Sequence, residues 1–136
     1  MANQPNINKD GAVLVKRASV GPLPIGRGGV FTGAYSADGF ALVDAPSGAD
    51  GIVHCVVVDT SLSDADAGFV VIVGTSLVQL RIGSTGVSKD DKLNLQNATG
   101  VWRTAPLLSQ NCYYFALQDA AANALCWAIP IASRPA

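Results

Sequence analysis

The chain of 136 residues contains no glutamate, and all ten of its acidic residues are Asp. Glu is a good helix former while Asp favours caps and turns, so this acidic complement argues against long helices. Charge of either sign is scarce, at 14% against roughly 25% in an average soluble protein. The net charge of −1 leaves no global field to attract nucleic acid. Little charge combined with 49% hydrophobic residues points to a surface partly covered by partners, or else to a compact secreted or viral β-domain with a Ser/Thr/Asn coat. There is one histidine, no G-x-S-x-G elbow and no P-loop, so no recognisable nucleophile or phosphate cradle stands out. The glycines of "GRGGVFTG" miss the dinucleotide fingerprint. No apolar run approaches a membrane-spanning helix, and "MANQPNINKDG" lacks the hydrophobic centre of a secretion signal. Cys55, Cys112 and Cys126 are an odd set without metal-ligand spacing, each inside an apolar run. They read as reduced, buried core residues of a protein made inside a cell.

What the chain has instead is 14 Gly and 7 Pro, the punctuation of short strands and tight turns. Residues 1–11 are polar and aperiodic and read as an arm. "AVLVKRASV" has strand character before "GPLPIGRGG", where Gly and Pro fill six of nine positions. Proline cannot donate to a ladder, so residues 21–29 form an irregular strap rather than a sheet interior. From Val30 onward strands and turns recur: "VFTGAY", "FALVDA", the nearly unbroken "IVHCVVVD", "FVVIV" and "SLVQLRI". In the last, Val78, Leu80 and Ile82 face one way and Gln79 and Arg81 the other, the period of a half-buried strand. "KLNLQ" and "VWRTA" flank "NATG" as a hairpin. "CYYFALQ" and "LCWAIPIA" follow, with "LQDAAANAL" between them as either a short helix or a turn. About nine short strands predict an all-β fold, a small β-sandwich or partly open β-barrel with an extended N-terminal arm. The expected division is residues 1–29 as arm and strap and residues 30–136 as one β-domain.

The densest charge, Lys89-Asp90-Asp91-Lys92, lies in "GVSKDDKL". Adjacent carboxylates on an extended chain point to opposite faces, and each here has a lysine beside it. The segment reads as a solvated turn launching the strand from Leu93 to Leu95. His54 and Cys55 likewise fall on opposite faces of one strand and cannot pair as base and nucleophile. His54 is expected to be structural or interfacial. Tyr113, Tyr114 and Phe115 could stack on bases, but only Arg103 is near, so nucleic acid is not expected. Tyr113 and Phe115 read as core-facing and Tyr114 as interfacial.

"GVSKDDKLNLQNATGVWRTA" (86–105) and the segment from Ala116 to Ile131, after the polar arm and Gly/Pro strap, resemble the capsid decoration (cement) proteins of tailed bacteriophages. Asp90 stands where that pattern usually has glycine, and Gln118 replaces its acidic residue. The resemblance implies a non-enzymatic β-rich subunit, commonly a homotrimer, on the outer surface of the virion capsid, where it bridges major capsid proteins. It implies no cofactor, metal, membrane, nucleic-acid or small-molecule partner. The expected partner-binding residues are Asn3, Pro5, Ile7, Lys9, Val13, Val15, Lys16 and Arg17 in the arm. Pro22, Pro24 and Arg27 join them in the strap, with Arg27 as the charged contact. The alternative is a head-fibre base or carbohydrate-binding module, with Trp102 and Trp127 exposed for stacking on a sugar. A small trimeric hydrolase is the third reading, and the missing motifs argue against it.

Overall fold

The computed structural model describes residues 12–109 and 111–131. It is all-β, with ten strands and no helix among the described residues. Five strands close a small barrel in the order β1 (Ala12–Arg17), β3 (Ala41–Asp44), β2 (Gly28–Tyr35), β4 (Cys55–Val58), β5 (Gly68–Ile72). β1 and β3 run parallel, and the other barrel pairs are antiparallel. The remaining strands form a second, antiparallel sheet in the order β6 (Val78–Arg81), β10 (Leu125–Pro130), β9 (Tyr114–Ala116), β7 (Lys92–Leu95), β8 (Trp102–Thr104). Its outer strands meet at a bridge between Ile82 and Trp102.

The unbroken apolar run of β4 has a structural cause. Cys55 and Val57 face the barrel lumen, while Val56 and Val58 face the second sheet. The lumen is filled by Val15, Val43, Cys55, Val57 and Val70, with Leu23 and Leu62. It is so narrow that a Cβ on Gly29 would stand 2.8 Å from Val43 Cγ1. The larger core lies between barrel and sheet, where Trp102 packs edge-to-face on Tyr114 with ring centroids 5.5 Å apart. Each fully buried Val or Leu contributes roughly 1.5–3 kcal/mol relative to an exposed one.

Several expectations are corrected by this packing. Residues 12–29 are not outside the β-domain. β1 sits between β3 and β5, and the strap is threaded between the two sheets. Gly26 donates to Val57 O at 2.9 Å, and its carbonyl accepts from Arg81 N at 2.9 Å and from Trp102 Nε1 at 3.1 Å. Gly28 donates to Gly100 O at 2.8 Å. The strap is therefore a staple. Only a side-chain-free residue fits its tightest point, because a Cβ on Gly26 (φ +85°) would stand 2.6 Å from Arg81 N.

The Ala-rich "LQDAAANAL" is a turn and not a helix, because Ala120 exchanges backbone hydrogen bonds with Val87 at 2.9 and 3.0 Å. The phase of β9 is the reverse of that expected: Tyr114 is fully buried, while Tyr113 and Phe115 are half-buried. Cys55 and Cys126 are buried as expected, but Cys112 is only partly so. The β7–β8 hairpin forms around "NATG" as read, with Leu93 opposite Thr104 and Leu95 opposite Trp102.

Candidate binding face

The charged turn at residues 88–92 is solvated. Lys89 and Asp90 pair at 3.7 Å with both side chains largely exposed. Asp91 is occupied structurally, accepting from Ser88 N at 2.9 Å and from the Thr104 hydroxyl at 2.7 Å. His54 is exposed; its Nδ1 accepts from Phe31 N at 2.9 Å and its ring stacks on Phe31. Burial pushes the Cys55 thiol up to about 12, far from the thiolate a nucleophile requires. Burial also raises Cys126 and, partly offset by the charge of Lys92, Cys112. No group of three or more His, Cys or Asp among the described residues could hold a metal ion.

The expected partner-binding residues divide into three sets. Asn3, Pro5, Ile7 and Lys9 lie outside the described residues. Val13 packs against the lumen cluster, and Val15, fully buried within it, cannot meet a partner while the barrel is intact. Lys16 is committed internally to Asp38 at 2.9 Å and lies over the Phe40 ring. Arg17 is committed to Asp44 at 3.0 Å and to the carbonyls of Gly21 and Pro22. In the strap, Pro22 is exposed and Pro24 and Arg27 are half-buried.

Arg27 stands apart from the other strap residues. Its Nε is buried without a partner among the described residues, and its Nη1 reaches Thr99 O at only 3.4 Å. Burial and then the positive charge of Arg81 hold its guanidinium below its ordinary range. Arg81 donates to Asn123 O at 2.8 Å, and neither arginine has a carboxylate partner among the described residues. Two cations have thus been brought together without an anion among the described residues. Sequence reasoning singled out Arg27 but not Arg81, although the alternation in "SLVQLRI" already turned Arg81 outward.

Next to this pair lies the outer face of β6, β10 and β9. β10 turns its small residues Cys126 and Ala128 inward and leaves Trp127 and Ile129 exposed at 42% and 45%. Gln79 stands opposite Trp127, Arg81 opposite Leu125, and Phe115 opposite Ile129. Leu117, also exposed, donates its N–H to Trp127 O at 2.9 Å. Trp127 also borders a groove of about 220 Å³ together with Ile25, Asp59 and Leu77. The two tryptophans that the carbohydrate-binding alternative needs exposed therefore part company, because Trp102 is fully buried. Leu107 and Leu108, about 90% exposed, form a separate apolar tip on the β8–β9 loop. No known family model matches the chain, and no curated protein emerges as a relative.

Proposed function

We propose that this chain is a structural, non-enzymatic virion protein that decorates the outside of a phage head and stabilises it by bridging major capsid proteins. The observation that carries the reading is the outer face of the second sheet. Trp127, Ile129, Leu117 and Phe115 lie there with Arg81, whose charge Arg27 in turn feels, and neither arginine has a neutralising carboxylate among the described residues. Aromatic residues and arginine, with other charge depleted, are the composition of a protein–protein contact centre. The unneutralised arginines favour an acidic partner surface. A homotrimer would cover further apolar surface, in keeping with the 14% charge content. Repetition over many capsid copies lets each contact be weak. In this reading residues 1–11, with Asn3, Pro5, Ile7 and Lys9, supply a second contact by adding along a capsid strand.

Sedimenting virions of the encoding phage through a gradient tests the reading. Stoichiometric migration of the chain with DNA-filled heads is expected, and its absence from the heads would remove the proposal. A head-fibre base or carbohydrate-binding module is the second reading, favoured by Trp127 at the rim of an open groove. It predicts that glycans shift the emission of Trp127 while buried Trp102 stays silent.

A further inference from the structure

A second polar site lies at the other edge of the same sheet and does not depend on the virion reading. Among the described residues, Asn94 is the one polar side chain that is fully buried. It is directly opposite Arg103 in the β7–β8 register, and its Oδ1 accepts from Arg103 Nε at 2.9 Å. Its Nδ2 donates to Asp50 Oδ1 at 2.8 Å. Asp50 is held in turn by its N–H on Leu95 O at 3.0 Å and by Asn111 Nδ2 on its carbonyl at 2.8 Å. Burying an amide is costly unless both ends are bonded, and here both are. The consequence is a guanidinium fixed through Nε. Its two terminal nitrogens have no protein acceptor among the described residues.

Arg103 lines a depression of about 350 Å³ whose other wall is the 84–86 loop. That wall is also built. Gln96 Oε1 accepts from Ser84 N at 3.0 Å, and its Nε2 donates to Ser84 Oγ at 2.8 Å. Gly83 allows this lock, since a Cβ there would collide with Gln96 Oε1. Ser84 Oγ, already accepting, keeps its own proton to donate, and Thr85 adds a hydroxyl. No carboxylate among the described residues lines the depression. Asp91 lies behind Thr104 with Oδ2 already accepting two hydrogen bonds.

We propose that this pocket is an oxyanion site in which the pinned fork of Arg103 takes a carboxylate, with the Ser84 and Thr85 hydroxyls donating from the opposite wall. A planar guanidinium matches a carboxylate with two parallel hydrogen bonds, and fixing Nε in advance leaves less entropy to lose on binding. The carboxylate has two sources with the same chemistry, a free small acid or an acidic side chain on a polypeptide.

The test is a titration of the full chain, followed by the backbone amide resonances of Ser84, Thr85 and Thr104 at constant ionic strength. Succinate serves as the free acid and acetyl-Asp-Asp-amide as the polypeptide. Saturable shifts confined to these amides are expected with at least one probe, with a dissociation constant on the order of 1 mM. Whichever probe binds tighter identifies the source. Arg103→Gln should weaken binding about tenfold or more, since it removes the charge-assisted pair. Arg103→Lys, which keeps the charge and loses the fork, should fall between the two. Lys89→Gln, which lowers positive charge away from the pocket, should leave affinity unchanged. Shifts that are absent, non-saturating, or equal in wild type and Arg103→Gln would overturn the proposal.

Discussion

The two sheets solve the same burial problem with different materials. The barrel closes on itself and fills its lumen with valines, leucines and one cysteine, and it has no aromatic among its buried residues. The second sheet puts Trp102 and Tyr114 into the inter-sheet core and makes room for them with Ala116, Cys126 and Ala128. The larger side chains of β10, Trp127 and Ile129, are thereby left outside. A closed barrel has no edge to offer and spends its side chains on itself. The second sheet buries Leu80, Leu93, Leu95, Trp102 and Tyr114 on its inner side and leaves Trp127 and Ile129 exposed on its outer side. In the proposed reading the barrel is scaffold and the second sheet is the working surface.

The sharpest way to break this contrast is to compare the tryptophans. Trp102→Ala removes the central aromatic and the bond to Gly26 O, and should cost about 3–5 kcal/mol in urea unfolding. Trp127→Ala, at a side chain that is 42% exposed, should cost only about 1 kcal/mol. Similar losses at both sites would mean that the outer face is structural after all. Next in size, Gly29→Ala should destabilise by about 1–3 kcal/mol, because its Cβ overpacks the lumen against Val43. A neutral result would show that the barrel yields more easily than its packing implies. At the loop tip, Leu108 has φ 71°, a left-handed conformation that a side-chain-bearing residue adopts at a cost. Leu108→Gly should stabilise the isolated chain by about 1 kcal/mol in the same assay.

The smallest effect is acidic and belongs to the barrel. Hydrogen bonds from Lys16 and then Ser36 hold Asp38 down to about 2, below its ordinary 3.8. At Asp44 burial acts upward, but bonds from Ser19, Ala45 N and Arg17 outweigh it and the net shift is downward. Carboxyls depressed in the folded state contribute stability above their unfolded values and lose it as pH falls through the folded ones. The urea midpoint should therefore drop from about pH 4 toward pH 2, and the difference between wild type and Asp38→Asn should shrink over that range. An Asp38→Asn difference that persists at pH 2 would assign the effect to something other than this ion pair.

Much of the fold was legible where apolar and polar residues alternate. "SLVQLRI" announced the inward Val78 and Leu80 and the outward Gln79 and Arg81, and "NATG" announced its hairpin. The phase of "CYYFAL" was not legible, because three adjacent aromatics give alternation no contrast. β10 misleads similarly, since its inward residues are the small ones and hydrophobicity alone would turn Trp127 inward. The strap was recognised as irregular, but its role was hidden because its partners Arg81, Gly100 and Trp102 are distant in sequence. The same distance concealed the pairing of Arg27 with Arg81 and the tethering of Arg103 through Asn94 to Asp50. Locating β1 also changes how the arm should be cut. Removing residues 1–11 spares the barrel strands, whereas removing residues 1–20 deletes one.

The most direct test of the proposed working surface is rebinding to phage heads. DNA-filled heads stripped of this chain would be mixed with the wild-type protein or with a Trp127→Ser, Arg81→Ser double variant and then sedimented. The account predicts that the wild type pellets with the heads to saturation, while the variant, folded by its urea midpoint, stays in the supernatant. Equal pelleting of both proteins, or wild type left in the supernatant, would contradict it.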